Sequence, residues 1–424
     1  LAWINYNHLP ITTESKQTSF ETERYIVWLN GFISNHKELA QKYQMKLNTT
    51  CDTEVLANCF ELGINLHELN GFWAYVRYDK VDKIISFGTD RYGIKQLYYY
   101  TDQENQMSYF SSEVKGILAV VDNVEILGSM ADNWNHALGV HSTDLTIYKG
   151  IYRVPKLPQP RIIRSKINTD WEYERAKREL KAILKRVFER NAYNGPTGVF
   201  LSGGIDSGLI AKYVQPDYTF SVDYDNADYS EIELIKKNTQ GIHYSVLMTD
   251  KNYLHFAKKA MLALDDLKAG SCYSNFAVNE LASKFVKVVY SGAGGDEFFG
   301  GYPHRLNKPI EYVFRRTQYH VDVYSDNSIG KSHYEYDLMF LDAVLVVEDR
   351  MSSFHTMETR YPLLDNELVD FARSLPFEFI ENKRILKDVC GLHNDVIQGK
   401  KRGFSNPHFT NEEWVIFALL NLRK

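Results

Sequence analysis

Residues 199–208 read Val199-Phe200-Leu201-Ser202-Gly203-Gly204-Ile205-Asp206-Ser207-Gly208, and this stretch decides the fold of the larger part of the chain. An apolar run ends in a serine and two glycines, and a helical pattern of Leu209, Ile210, Tyr213 and Val214 follows. That order spells a buried strand, a glycine turn and a helix start. Backbone amides at such a turn can surround an anion, and the helix N-terminus adds positive potential. Ser202 and Ser207 supply hydroxyl donors, and Asp206 is placed to hold a cation that screens phosphate charge. The competing reading is an ordinary strand-to-helix turn, against which the two serines and the aspartate argue. The common nucleotide loop, G-x-x-x-x-G-K-[ST], carries a lysine for the outer phosphates, and residues 202–208 contain none. Gly330-Lys331-Ser332 is no substitute: Ser325 stands where the first glycine should be, and no apolar strand precedes it.

The chain around this loop has 424 residues, enough for two or three domains with their own cores. Apolar content of 44% with 24% charged residues describes an ordinary globular protein. A net charge of −5, with both signs mixed along the chain, points away from nucleic-acid and membrane partners. Tyrosine-rich runs such as Leu97-Tyr98-Tyr99-Tyr100 read as packing. Cys51, Cys59, Cys272 and Cys390 show no C-x-x-C spacing, which argues against a metal site or a disulfide framework and fits a reducing, cytoplasmic compartment. The Asn48-Thr49-Thr50 sequon has no consequence without secretion, and no apolar run reaches membrane-spanning length. The first residue is Leu1, so the native N-terminus is expected to lie upstream.

Two domains are expected, over residues 1–150 and 165–424. In the first, Tyr25–Leu29 reads as a strand ending at Asn30-Gly31, residues 36–44 and 53–62 as helices, and Phe72–Tyr78 and Lys83–Phe87 as strands joined by a turn at 79–82. Residues 95–101 and 107–111 form a further hairpin, making an α+β domain. Residues 113–165, with Pro155, Pro158 and Pro160, read as a mixed segment and linker. A helix is expected to open at Thr169, which has capping-box spacing to Glu172, with Ala176, Leu180, Ile183, Leu184 and Val187 on one face. Strands at 197–201, 218–224, 243–248 and 287–291 then alternate with helices, one of them started by a Ser230/Glu233 capping box. This is the pattern of a parallel sheet, whose ligands bind beyond the carboxyl ends of the strands.

A second strand end carries Ser291-Gly292-Ala293-Gly294-Gly295-Asp296-Glu297, followed by Gly300-Gly301-Tyr302. Two strand-end loops, each with an aspartate, can hold Mg²⁺ between them over a polyphosphate, because Mg²⁺ takes few carboxylates plus phosphate oxygens. Read alone, Asp296 could equally be a helix N-cap. Downstream lie Asp349-Arg350-Met351-Ser352, Glu358-Thr359-Arg360-Tyr361-Pro362-Leu363-Leu364-Asp365, Lys383-Arg384-Ile385-Leu386-Lys387-Asp388 and Lys400-Lys401-Arg402-Gly403-Phe404. By spacing alone a lysine on a helix is usually a solvated face.

Together, the Ser-Gly-Gly-x-Asp-Ser loop, the 291–302 block and these downstream blocks resemble the asparagine synthetase branch of the ATP-pyrophosphatase superfamily. The resemblance implies cleavage of ATP between its α and β phosphates. It makes Ser202, Gly203, Gly204, Asp206 and Ser207 the pyrophosphate site and implies that Val222 and Gly292 hold adenine. It further implies that Asp206 and Asp296 bind Mg²⁺ and that Lys383 neutralises charge at the α-phosphate, with Lys383, Asp206 and Asp296 the catalytic set. Leu29 to His36, Cys51-Asp52-Thr53-Glu54-Val55, Leu69 to Ala74 and Asp90 to Tyr99 resemble a class II glutamine amidotransferase domain, an N-terminal-nucleophile hydrolase with an αββα sandwich. There an N-terminal cysteine attacks glutamine with its own α-amine as base. Asn30 and Gly31 match the oxyanion hole, and Asp52 matches the acid that fixes the glutamine amino group. That nucleophile and an arginine for the glutamine carboxylate would precede Leu1; none of the four cysteines can stand in.

Two departures from the family are visible. Phe32 and Ser34 replace the glutamate and tyrosine of Asn-Gly-Glu-Ile-Tyr-Asn. Ala293 replaces the glutamate of Ser-Gly-Glu-Gly, proposed to deprotonate ammonia, and also differs from the tyrosine of the β-lactam synthetase branch. The proton acceptor is therefore open: another carboxylate, a pyrophosphate oxygen or water. The expected activity is conversion of aspartate, ATP and glutamine or ammonia to asparagine, AMP, pyrophosphate and, with glutamine, glutamate. The resemblance also allows a homodimer. Ala293, Phe32 and the Ala269-Gly270-Ser271-Cys272 segment motivate two alternatives, a different carboxylate substrate or an ammonia-dependent form with a degenerate glutaminase. A nucleotide-binding regulator without turnover is the reading from a different class.

Overall fold

Five apolar or charge-paired segments build the parallel sheet that the sequence pattern implies. The computed structural model describes residues 19–122, 124–126, 146–157, 170–225, 230–238, 241–266, 272–302, 329–399, 413–414 and 416–418, with the backbone alone at 238 and 329–340. Pro158, Pro160, Thr169, the Ala269-Gly270-Ser271 segment and the Lys400–Phe404 block lie outside the described residues. These residues fall into two compact units, one up to Ile126 together with 146–157 and the other from Asp170 onward.

In the first unit, β1 (Phe20–Glu21), β2 (Tyr25–Ile33), β3 (Gly71–Asp79) and β4 (Ile84–Thr89) form an antiparallel sheet in that order. β5 (Tyr98–Asp102), β6 (Met107–Ser111) and β7 (Ile151–Arg153) form a second, in the order β6-β5-β7. Ala74, Val76, Leu97 and Val154 pack between the sheets with Phe87, Tyr99 and Phe110. On the other face of the first sheet, helices His36–Lys42 and Asp52–Glu61 bury Leu39, Val55, Leu56 and Cys59 against Val27, Leu29 and Trp73. The short helix Val114–Leu118 packs on β5 and β6. The layering is that of the expected sandwich.

Two expectations need correcting here. β2 does not end at Asn30-Gly31 but continues to Ile33, paired with β3 throughout. Gly31 permits this with a φ of +124°; a Cβ there would lie 2.1 Å from the Phe72 carbonyl oxygen. The 113–165 segment is also more than a linker, because β7 pairs with β5 across Tyr98–Tyr100 and closes the second sheet. Asp90 organises the turn before β5: its carboxylate accepts backbone N–H groups of Trp73, Tyr92, Ile94 and Lys95.

The second unit holds β8 (Thr197–Phe200), β9 (Tyr218–Tyr224), β10 (Ile242–Met248), β11 (Val288–Tyr290) and β12 (Glu358–Arg360), all parallel, in the order β10-β9-β8-β11-β12. Phe220, Val286 and Val289 anchor its core with Val278 and Ala282 of helix Cys272–Ala282. The chain steps outward from β8 to β10, then returns to the other side of β8 for β11. That reversal leaves a crevice at the carboxyl ends of β8 and β11, where open sheets of this kind bind ligands. No helix among the described residues is long and apolar enough to cross a membrane.

The helix expected at Thr169 starts at Tyr173, with Glu172 at the N-cap and not in the capping-box position. Trp171 fixes the lead-in by packing edge-on against Phe371 and donating its indole N–H to Ser374 Oγ at 3.3 Å. The helix after β9 starts at Ile232, with Glu231 rather than Ser230 supplying the carbonyl for its first turn. β12 was not foreseen, because Glu358-Thr359-Arg360 has no apolar run; its charges neutralise each other inside the protein, Arg360 Nε lying 2.8 Å from Glu358 Oε1.

Candidate functional site

The Ser202–Ser207 loop leaves β8 and opens helix Ile205–Val214. Its shape is set by Ser207, whose hydroxyl donates to the Ser202 carbonyl at 3.1 Å and accepts the Ser202 N–H at 3.1 Å. The two hydroxyls lie 3.0 Å apart. First-turn amides of the helix have no carbonyl four residues back and point out of its N-terminus, with the positive end of the helix dipole. The loop faces the crevice between β8 and β11, and Gly292 follows β11 on its far side. A Cβ at Gly292 would come within 3.0 Å of Asp206 Cβ, so the two strand-end loops touch. Val222 lies within β9, the neighbouring strand, paired with Val246 and two residues short of the strand end.

Asp206, Asp296 and Lys383 meet here although they are far apart in sequence. The Lys383 ammonium bridges both carboxylates, pairing with Asp206 and lying 2.5 Å from Asp296 Oδ1. Lys383 is buried at 6% exposure. Burial alone would disfavour its charge, but Asp206 and Asp296 outweigh this and hold its pKa above the ordinary lysine value. A charge-neutralised cluster of this kind is how a protein keeps ionised groups inside.

Lys383 does not lie on the body of a helix, as the sequence pattern implies. It occupies the left-handed N-cap (φ 59°) of helix Arg384–Cys390, and Asn382 before it is also left-handed (φ 53°). Two such non-glycine residues in a row are strained, and surrounding bonds must hold them. The Asn382 and Lys383 N–H groups donate to the Gly300 and Phe299 carbonyls, both at 2.9 Å. This explains the Gly300-Gly301 pair. A Cβ on Gly300 would lie 2.8 Å from the Ile380 carbonyl oxygen, and one on Gly301 would lie 1.9 Å from Asp296 Oδ1 and 2.5 Å from Lys383 Cε. At the other end of helix Arg384–Cys390, Lys212 Nζ donates to the Cys390 carbonyl at 2.9 Å, tying this helix to the one that carries Asp206.

The residues here fit a divalent cation held with phosphate oxygens. The donor set is two carboxylates facing one point, which suits Mg²⁺ when phosphate completes the shell. The space is kept by glycine, since a Cβ at Gly295 would lie 2.4 Å from Asp206 Oδ1. Among the described residues no cluster of three or more His, Cys, Asp or Glu side chains forms a closed cage.

The Glu358–Asp365 block is structural. Arg360 donates to the Asn191 and Ala192 carbonyls at 2.8 and 3.0 Å, capping helix Tyr173–Arg190. Asp365 caps helix Asn366–Ser374 through the Glu367 N–H and pairs with Arg190 at 2.8 Å. The Gly330-Lys331-Ser332 triplet sits in the first turn of helix Ile329–Phe354.

In the other unit, Asn30 and Gly31 lie near the end of β2, and Asp52 opens helix Asp52–Glu61. Asp52 Oδ2 accepts the Ile33 N–H at 2.9 Å, which ties the start of its helix to the end of β2, two residues beyond Gly31. Phe32 packs against Phe72 and His36 at ring distances of 5.9 and 6.1 Å, so an apolar cluster stands where the family places a carboxylate. None of the four cysteines is joined in a disulfide. Burial pushes every one of their thiols up, Cys59 to about 12, so none is an activated nucleophile.

Sequence reasoning missed Glu348. It lies in helix Ile329–Phe354, half-buried, with the Ser291 hydroxyl and the Glu297 carboxylate close enough to bear on its charge. Its signal in the sequence is weak: an acid that ends the apolar run Ala343-Val344-Leu345-Val346-Val347 and is followed at once by Asp349 and Arg350.

A family model described as asparagine synthase matches residues 179–419, more than half of the chain, and one described as a glutamine amidotransferase domain matches residues 9–171. A protein of Methanocaldococcus jannaschii named "Putative asparagine synthetase [glutamine-hydrolyzing] 2" is 33% identical over 66% of this chain and 60% of its own length. Asparagine synthetase [glutamine-hydrolyzing] 1 of Bacillus subtilis is 26% identical over 94% of this chain and 79% of its own length. The human enzyme of that name is 23% identical over 83% of this chain and 65% of its own length. The chain thus spans less than two thirds of the first and third of these relatives.

Proposed function

This chain belongs to the asparagine synthase family of ligases, and we propose on that premise that it joins ammonia to the β-carboxylate of aspartate through an acyl-adenylate made from ATP. The observation that carries the reading is the convergence of Asp206, Asp296 and Lys383 beside the Ser202–Ser207 loop, at the point where the sheet order reverses. In this reading the loop amides, Ser202 and Ser207 hold the β and γ phosphates as the leaving pyrophosphate. Val222 and Gly292 flank the loop and receive adenine. Mg²⁺ bound by Asp206 and Asp296 would screen the phosphate charge and help pyrophosphate to leave. Lys383 turns its ammonium from the carboxylates to the α-phosphate and stabilises the charge that builds as the substrate carboxylate attacks phosphorus. Three retained charged groups in one buried cluster also argue against a regulator without turnover.

Glutamine is the proposed ammonia source, with Asp52 on its amino group and Asn30 and Gly31 at the oxyanion. The Phe32 cluster favours a second reading in which free ammonia is the donor. Four cysteines kept as thiols and not as disulfides suit a reducing, cytoplasmic setting. The test is asparagine formation from aspartate, ATP and Mg²⁺, with glutamine and with ammonium chloride in parallel. Ammonium is expected to support turnover. No pyrophosphate release with aspartate, from protein that binds ATP, would remove the aspartate assignment and leave a different carboxylate.

A further inference from the structure

Resting on that reading of the site, we propose that Glu348 is the proton acceptor for the nitrogen that attacks the acyl-adenylate, taking the part for which Ala293 has no atom. Amide formation must shed one proton. Ammonia adds to the adenylate carbonyl carbon, the C–N bond forms, and the C–O bond to AMP breaks with its electron pair leaving on the phosphate. One N–H proton passes to Glu348 Oε2 and from there to water.

The placement comes from the strand-end loop that also supplies Asp296. Ser291 Oγ accepts the Ala293 N–H at 3.2 Å, and the same hydroxyl stands close enough to Glu348 to favour its charged form. One serine therefore links the carboxylate to the residue where the family's base stands. The same loop rests on Asp206 through Gly292. Helix Ile329–Phe354 reaches this loop by packing on helix Gly295–Phe298. Leu345, Val346, Val347 and Met351 on the same helix are buried, and Glu348 between them in sequence is half-buried. Its Oε2 is shielded from bulk solvent and has no hydrogen-bond partner among the described residues, so an acceptor oxygen is available.

The electrostatics agree with the role. Burial pushes Glu348 up to about 7, the Ser291 hydroxyl opposes this, and the nearby Glu297 charge adds to it. Glu297 is the charged group that bears on Glu348 from the elements packed on its helix, among the described residues. It is itself fixed by the Gly294 N–H at 3.2 Å and the Tyr302 hydroxyl at 2.8 Å. A base titrating near neutrality is well matched to proton abstraction at the working pH.

The two half-reactions separate this assignment from the reading it rests on. Carboxylate-dependent exchange of labelled pyrophosphate into ATP reports adenylate formation, which needs no nitrogen base; amide formation from ammonium chloride reports the second half. For Glu348→Gln, exchange is expected within about twofold of the parent. Amide formation should fall about 10²-fold or more, and the rise of its rate with pH through neutrality should disappear. Adding Ala293→Glu to that variant should restore amide formation at least tenfold. Parental amide formation by Glu348→Gln would overturn the assignment, as would an equal loss of both half-reactions. No exchange by the parent protein with any carboxylate would defeat the adenylate reading itself, and this assignment with it.

Discussion

Replacing Lys383 by methionine keeps most of the side chain's length and removes the ammonium that lies between Asp206 and Asp296. Two carboxylates, with side chains 14% and 17% exposed, then face each other. Breaking a buried ion pair from one side costs about 3–5 kcal/mol. The loss has a ceiling, because one aspartate can take up a proton. From an ordinary pKa near 3.9, protonation costs about 4 kcal/mol at pH 7 and about 1.5 kcal/mol at pH 5. The variant should therefore be about 4 kcal/mol less stable than the parent at pH 7, a melting shift on the order of 10 °C. The deficit should shrink by more than half at pH 5. Mg²⁺ at ten times its dissociation constant should return about 1.4 kcal/mol at pH 7, whereas the parent, whose ammonium already occupies the position, gains less. The assay is calorimetric unfolding of both proteins at the two pH values, with and without Mg²⁺. Equal stability of variant and parent would refute the reasoning, as would a deficit indifferent to both pH and Mg²⁺.

Gly301→Ala should abolish adenylate formation while lowering stability, since its Cβ would lie 1.9 Å from Asp296 Oδ1 and 2.5 Å from Lys383 Cε; pyrophosphate exchange checks it. Glu348 gives a stability prediction of definite sign. Its folded pKa of about 7 exceeds the ordinary 4.5, so the folded state holds the extra proton between these values and stability falls as pH rises through the window. Glu348→Gln should accordingly match the parent at pH 4 and exceed it by about 3 kcal/mol at pH 8 in denaturant unfolding, with the gain absent if Glu348 ionises normally.

Much of the fold was legible because its signals are local. Val199-Phe200-Leu201 running into two glycines identifies β8, its loop and its helix without reference to any other part of the chain. Charges that become satisfied only across the fold hid the rest. Glu358 and Arg360 look like a surface turn until Arg360 is seen capping Asn191 and Ala192, so β12 and the edge of the sheet went unread. Lys383 carries no local mark of importance, because its surroundings come from Asp206 and Asp296, which lie 177 and 87 residues away in sequence. Its left-handed backbone was equally invisible, since the Gly300 and Phe299 carbonyls that hold it belong to another segment. Glu348 is hidden for a related reason: next to Asp349 and Arg350 it looks like the charged end of an apolar run, and it gains meaning only when Ser291 and Glu297 are placed beside it.

The most direct test of the central claim is the identity of the phosphorus products. With ATP, Mg²⁺, aspartate and ammonium chloride, ³¹P resonance should show AMP and pyrophosphate appearing together, and Asp206→Ala should abolish both. ADP and inorganic phosphate as the products would contradict it, because the Ser202–Ser207 loop would then not be holding the pyrophosphate of an adenylate-forming reaction.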